Sequence, residues 1–227
     1  MGWIEFALAM GVFLISHRLP AMLGVKSKLT NALGQRGYTV LFSVVSLVLL
    51  WWVFAAAGRA PVIPLWEQSA AARWLLNLTM PVVILLAVFG VGAPNPFAFE
   101  GRPQGFDPVH PGIVGLTRQP LLWALILWSG AHLLANGDLA HVILFGSFLL
   151  FSAMGLRIVE RRRRRIMGAD PWNEAARRTG LVPFAALLRG RWRPQALPSL
   201  PRLGLAIGLW VVLLALHAPV IGVSPLP

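Results

Sequence analysis

Residues 127–148 read LWSGAHLLANGDLAHVILFGSF. Two apolar runs meet at a single polar turn, Asn136-Gly137-Asp138. Each run carries an imidazole: His132 lies in the first, and His141 near the start of the second. What these histidines do depends on the solvent around them, and composition decides that. The chain has 227 residues, of which 57% are hydrophobic and only 12% charged, with a mean hydropathy of +0.70. A soluble domain carries about 25% charged residues to cover its surface. Several stretches here approach or exceed the roughly 20 apolar residues that cross a bilayer as a helix. The lipid bilayer is therefore the expected surrounding.

Six spans can be drawn, over about residues 3–20, 38–57, 74–92, 119–135, 139–156 and 203–222, with Pro81 a kink in the third. The expected fold is all-α: a polytopic membrane helix bundle of about six transmembrane helices plus a basic cytoplasmic interfacial segment. Three regions follow. Residues 1–156 form a five-helix transmembrane core, 157–202 an Arg-rich segment, and 203–227 the sixth helix with a short tail. The first span has no Lys or Arg before Arg18. It lacks the basic leader of a cleavable signal and reads as an uncleaved span. Residues 93–118, rich in Pro and Gly, read as an irregular loop. The Arg-rich segment interleaves Trp172, Phe184 and Trp192 with its charges, a pattern suited to short helices on a membrane face.

The net charge is +12. Eighteen of the twenty basic residues fall in the loops after spans one, three and five or on their flanks, leaving only Arg59 and Arg73 on the other side. Basic loops stay in the cytoplasm. The chain is thus expected in the inner membrane with both termini and the Asn136-Gly137-Asp138 turn on the periplasmic side. The same placement accounts for the charge without nucleic acid, because no soluble basic domain stands apart from the apolar segments. There are no cysteines, which excludes disulfides, iron–sulfur ligation and thiolate-bound haem within this chain.

Ionisable groups inside a bilayer are costly and mark function by default. His17, His132 and His217 each fall within a span, whereas His110 sits in the Pro-rich loop and His141 at an interface. Interhelical hydrogen bonding accounts for any one buried histidine. Three together fit haem b, since neutral imidazole ligates haem iron and a helix bundle offers an apolar slot for the porphyrin. Arg18 and Arg118 are placed to pair with propionates, or to anchor the basic side. From the helix rise, His132 and His217 each lie about 20 Å above the basic end of their spans and His17 about 9 Å. Depth thus pairs His132 with His217.

Longer motifs add a resemblance. HLLANGD, then ILFGSF and RIVERRRRR, together with SHRLPA, GQRGYTVLFSVVSL and HAPVIGVSP, resemble the NnrU family over nearly the whole chain. That family comprises bacterial inner-membrane proteins linked to nitrite and nitric oxide metabolism. It is similar to the plastid 15-cis-zeta-carotene isomerase, which binds haem b. The resemblance implies His17 and His132 as the two iron ligands, with His217 the substitute that depth favours. Two positions depart from the pattern. Ser129 stands where the isomerase has a cysteine, and Gln119 precedes Pro120 where the family has histidine.

Four functions remain open. A haem b protein of nitrogen-oxide or membrane redox physiology would need a redox partner. An isomerase of a polyene would need a lipid-soluble substrate. A methyltransferase of the isoprenylcysteine type would bind S-adenosylmethionine near Arg118 and residues 157–190. A non-catalytic assembly factor would use its histidines only between helices. GLAIG, from Gly204 to Gly208, has the small-residue spacing that serves packing within a chain or between chains equally.

Overall fold

The computed structural model describes residues 2–22, 24–99 and 101–226, with the side chains of residues 18–22 left aside. Nine helices are found among them, and no strand beyond two isolated bridges. In chain order they are α1 (Gly2–Met22), α2 (Val25–Arg59), α3 (Ala70–Gly90), α4 (Ile113–Leu116), α5 (Pro120–Ala135), α6 (Leu139–Met167), α7 (Ala169–Ala176), α8 (Ala185–Leu188) and α9 (Leu200–Ile221). Helices α2, α3, α6 and α9 are long and apolar enough to cross a membrane; the apolar stretches Gly2–His17 and Pro120–Ala135 are shorter. Exposed Leu, Val, Ile and Trp cover these helices, as lipid contact requires and water forbids.

The chain divides into two compact units. One comprises residues 1–67 and 137–144. Here α1 packs on α2 through a core of small residues, Ala9, Ala56 and Ala57, beside Phe6, Met10 and Val53. Small residues let helix backbones approach closely, and close approach drives helix association in lipid. Glu5, near the start of α1, accepts hydrogen bonds from the Arg59 guanidinium (Nε 3.2 Å to Oε2) and from Trp52 Nε1 (3.3 Å). This pair neutralises the one acid of the first span. Helix α2 begins well before the expected 38–57 span. At Gly34 it breaks, with φ 71° and ψ 167°, and the left-handed φ is one that glycine adopts without steric cost. A short polar helix therefore precedes the membrane stretch.

Residues 137–139, past the middle of the turn, are fixed within the same unit. Gly137 O accepts from Leu65 N (2.7 Å) and Trp66 N (3.2 Å), and Leu139 N donates to Ile63 O (2.9 Å). A Cβ at residue 137 would overlap the Trp66 carbonyl, so only glycine permits this approach.

The second unit comprises residues 68–136 and 145–227. In it α3 packs on both α5 and α9, and α4 on α8. Ser69 caps α3 by accepting from Ala72 N at 3.1 Å, which satisfies one of the free amides of a first helical turn. Pro120 opens α5 at a position where its missing N–H costs nothing. Gly222, at φ 85°, closes α9 in the left-handed conformation common at helix ends. Val83, Leu86 and Ala124 form the core between α3 and α5.

The helix of the fifth span runs past residue 156: α6 continues through the arginines to Met167, since Arg is a good helix former and nothing there breaks the helix. The loop 93–118 is irregular apart from α4, as expected, and it is also packed. Phe97 and Val114 are fully buried against Trp172 and Ala175 of α7. The aromatic rings of Phe97 and Trp172 meet edge-to-face at 4.9 Å. Short helices are indeed present in 157–202, as α7 and α8.

Gly137→Ala is expected to destabilise the turn by about 2 kcal/mol, the range for forcing an extra carbon into a filled space. Thermal denaturation of the detergent-purified protein checks this. A melting temperature equal to wild type would show that the turn relaxes freely.

Candidate functional site

Helix α5 carries the candidate residues along its length. Arg118 and Gln119 stand at its start and His132 twelve residues beyond Pro120, roughly 18 Å along the axis. At the start, the guanidinium of Arg118 clamps Glu160 of α6 in a fork: Nε to Oε1 at 2.7 Å and Nη2 to Oε2 at 2.8 Å. Both side chains are largely buried, with 13% and 15% exposed. Arg118 Nη1 donates to Thr179 Oγ1 (3.2 Å), and the guanidinium lies 5.6 Å from the ring centroids of both Phe97 and Trp172. Buried ion pairs need such extra partners to offset desolvation.

Backbone and amide groups extend this knot. Asn95 Nδ2 donates to Arg118 O (2.9 Å), Arg118 N donates to Gly180 O (2.8 Å), and Thr117 Oγ1 donates to Leu181 O (2.8 Å). Trp123 Nε1 reaches the same Leu181 carbonyl at 2.8 Å. Gln119 is buried and donates from Nε2 to Phe97 O at 2.8 Å. That bond needs only a side-chain N–H, which a histidine ring also supplies. Gln119 therefore acts here as a tie between the loop and α5. Arg118, read as pairing with a haem propionate or anchoring the basic side, bonds Glu160.

Toward the other end of α5, His132 sits among aromatic rings. Trp128 and Phe145 each lie 5.0 Å from it, centroid to centroid. His132 Nδ1 is 2.8 Å from Trp128 O. A carbonyl only accepts, so Nδ1 carries the proton and Nε2 presents its lone pair. His217 of α9 shows the same arrangement, with Nδ1 2.7 Å from Val223 O. So does His17 of α1, with Nδ1 2.7 Å from Phe13 O and its ring against Phe42. His132 and His217 belong to one unit. His17 belongs to the other unit. The side chain of Arg18 lies outside the described residues. Ser129 is buried and donates to Leu125 O at 2.6 Å.

The remaining two histidines differ in kind. His110 and His141 bond through Nδ1 to carboxylates three residues earlier, Asp107 and Asp138, each at 2.6 Å. The His110 imidazole, aided by the Val109 amide, holds the Asp107 carboxyl below its usual range. This loop contact is present at neutral pH and is lost as pH falls through that lowered value.

Three partners of Arg118 were not evident in the sequence: Glu160, Asn95 and Thr179. The only signal was a single acid at the head of an arginine run. Among the described residues no three of His, Cys, Asp or Glu converge on a point. Two imidazoles with free Nε2 atoms nonetheless suit a porphyrin iron, which takes its four equatorial ligands from the macrocycle.

Glu160→Ala strands a buried guanidinium and is expected to cost about 3 kcal/mol. Urea denaturation should show this loss, with much of it restored in Arg118→Met/Glu160→Ala. A double variant no more stable than the single would show that the ion pair is not the cause.

Against known proteins, no curated protein and no solved structure matches this chain. A family model does, described as NnrU protein, over residues 5–225. The chain therefore belongs to the NnrU family, as its motifs led one to expect.

Proposed function

We propose that this NnrU protein is a six-span inner-membrane haem b protein acting in nitrite and nitric oxide metabolism or in membrane redox physiology. The observation that carries the reading is the shared state of the intramembrane histidines. Each has Nδ1 pinned to a backbone carbonyl and Nε2 left as a ligand. Histidine ligands of metals are oriented in this way by their second nitrogen. His132 would be the first iron ligand. The unit it shares with His217, and the equal depth read from the helix rise, favour His217 as the second, and the resemblance to the carotene isomerase favours His17. Trp128 and Phe145 would flank the macrocycle. A haem iron held there would supply a one-electron couple; the chain's part is to orient the imidazoles and exclude water. The apolar stretches of α1 and α5 complete the six spans, with the arginine-rich face in the cytoplasm and both termini in the periplasm.

Reduced-minus-oxidised absorption spectra of detergent-purified protein test this, with His17→Ala, His132→Ala and His217→Ala beside wild type. Sharp α and Soret bands are expected in wild type and lost in His132→Ala. Loss in His217→Ala with retention in His17→Ala identifies the second ligand as His217; the reverse identifies His17. A colourless wild type that takes up no added hemin would overturn the reading.

A further inference from the structure

Two openings on the arginine-rich part of the second unit share a wall. The larger, about 570 Å³, lies where α3 ends and α9 begins, with Phe89, Ile113, Leu116 and Trp192 among its apolar lining and Arg202 at its edge. Arg202 packs over the Phe89 ring at 5.8 Å and donates from Nη1 to Phe89 O at 3.4 Å. The smaller, about 270 Å³, is lined by Arg178, Arg191 and Arg193 around Gly190. Trp192 and Gln195 line both. Trp192 is seated against Gly115, where any Cβ would overlap its indole. The shared wall is thus fixed by the fold.

A chamber of several hundred Å³ with apolar walls and a few polar groups is the form of a ligand site. None of Arg178, Arg191 and Arg193 has a carboxylate partner among the described residues. Arg178 donates from Nη1 to Val109 O at 3.2 Å, which holds it at the cleft. Three like charges around one small cleft favour an anion among them, and guanidinium forks match phosphate oxygens. The chamber lies beside the ends of two membrane helices, where apolar tails are at hand. Leu197, which lines it, is 93% exposed. We infer that the joined openings bind a phosphorylated amphiphile, with its phosphate between Arg178, Arg191 and Arg193 and its apolar chain past Trp192 into the larger chamber. This site is distinct from the intramembrane histidines and does not rest on haem.

Isothermal titration of the full-length protein in phosphatidylcholine nanodiscs tests the inference, with decyl phosphate and inorganic phosphate as probes and thermal melts as the folding control. Decyl phosphate should bind saturably and more tightly than inorganic phosphate. Arg191→Gln/Arg193→Gln should weaken both by about tenfold or more, a loss of about 1.4 kcal/mol at least. Ala196→Trp, at an exposed position lining the chamber, should weaken decyl phosphate alone. Nanodiscs doped with phosphatidylglycerol separate the sources of phosphate. Competition that vanishes in the arginine variant identifies a bilayer lipid as occupant, and absence of competition identifies a soluble phosphoester. Decyl phosphate binding that is unsaturable, or unchanged in both variants, would overturn the proposal.

Discussion

A single guanidinium holds the arginine-rich end of the second unit together. Arg118 stands at the foot of α5, and every side of it is taken: Glu160 from α6, Thr179 after α7, the rings of Phe97 and Trp172, and its own backbone tied to Asn95 and Gly180. Removing a charge of this kind from water costs several kcal/mol, which only a full set of partners offsets. The loop 93–118, the helical extension of α6 and the segment around residues 179–181 therefore each supply a partner to the same buried charge.

The membrane character, the helical class and the family were legible because they rest on signals spread over the whole chain. Hydropathy windows, arginine asymmetry and the HLLANGD and HAPVIGVSP motifs are repeated evidence of that kind. The knot was not legible, because it depends on pairs far apart in sequence. Glu160 sits in ERRRRR, where its neighbours suggest only a solvated anchor; that it alone faces Arg118 is a matter of helix phase. Asn95 and Gln119 fall in Pro-rich stretches whose composition signals a loop whether or not the loop is buried. The start of α2 was missed for a related reason. Gly34 ends the apolar pattern, yet helix continues on its far side in polar residues that no hydropathy window reports.

The five histidines separate into two classes that the sequence does encode. His110 and His141 each follow an aspartate by three residues, in DPVH and DLAH, and bond to it. His17, His132 and His217 have no acid at that spacing, so their rings turn to main-chain carbonyls. In a bilayer this is the cheaper solution, since a buried carboxylate would need its own compensation. Ser129 follows the same rule, with its hydroxyl returned to Leu125 O.

The carbonyl anchors have a consequence for the bilayer's insulation. A proton crosses a membrane along imidazoles only if each ring takes it on one nitrogen and releases it from the other to a group that will pass it on. At His132 and His217 the nitrogen on that side faces a carbonyl oxygen, which has no proton of its own to exchange, so neither ring passes a proton on through Nδ1. At His17 the Ser16 hydroxyl also lies 3.3 Å from that nitrogen, so its ring keeps a neighbour that can exchange a proton.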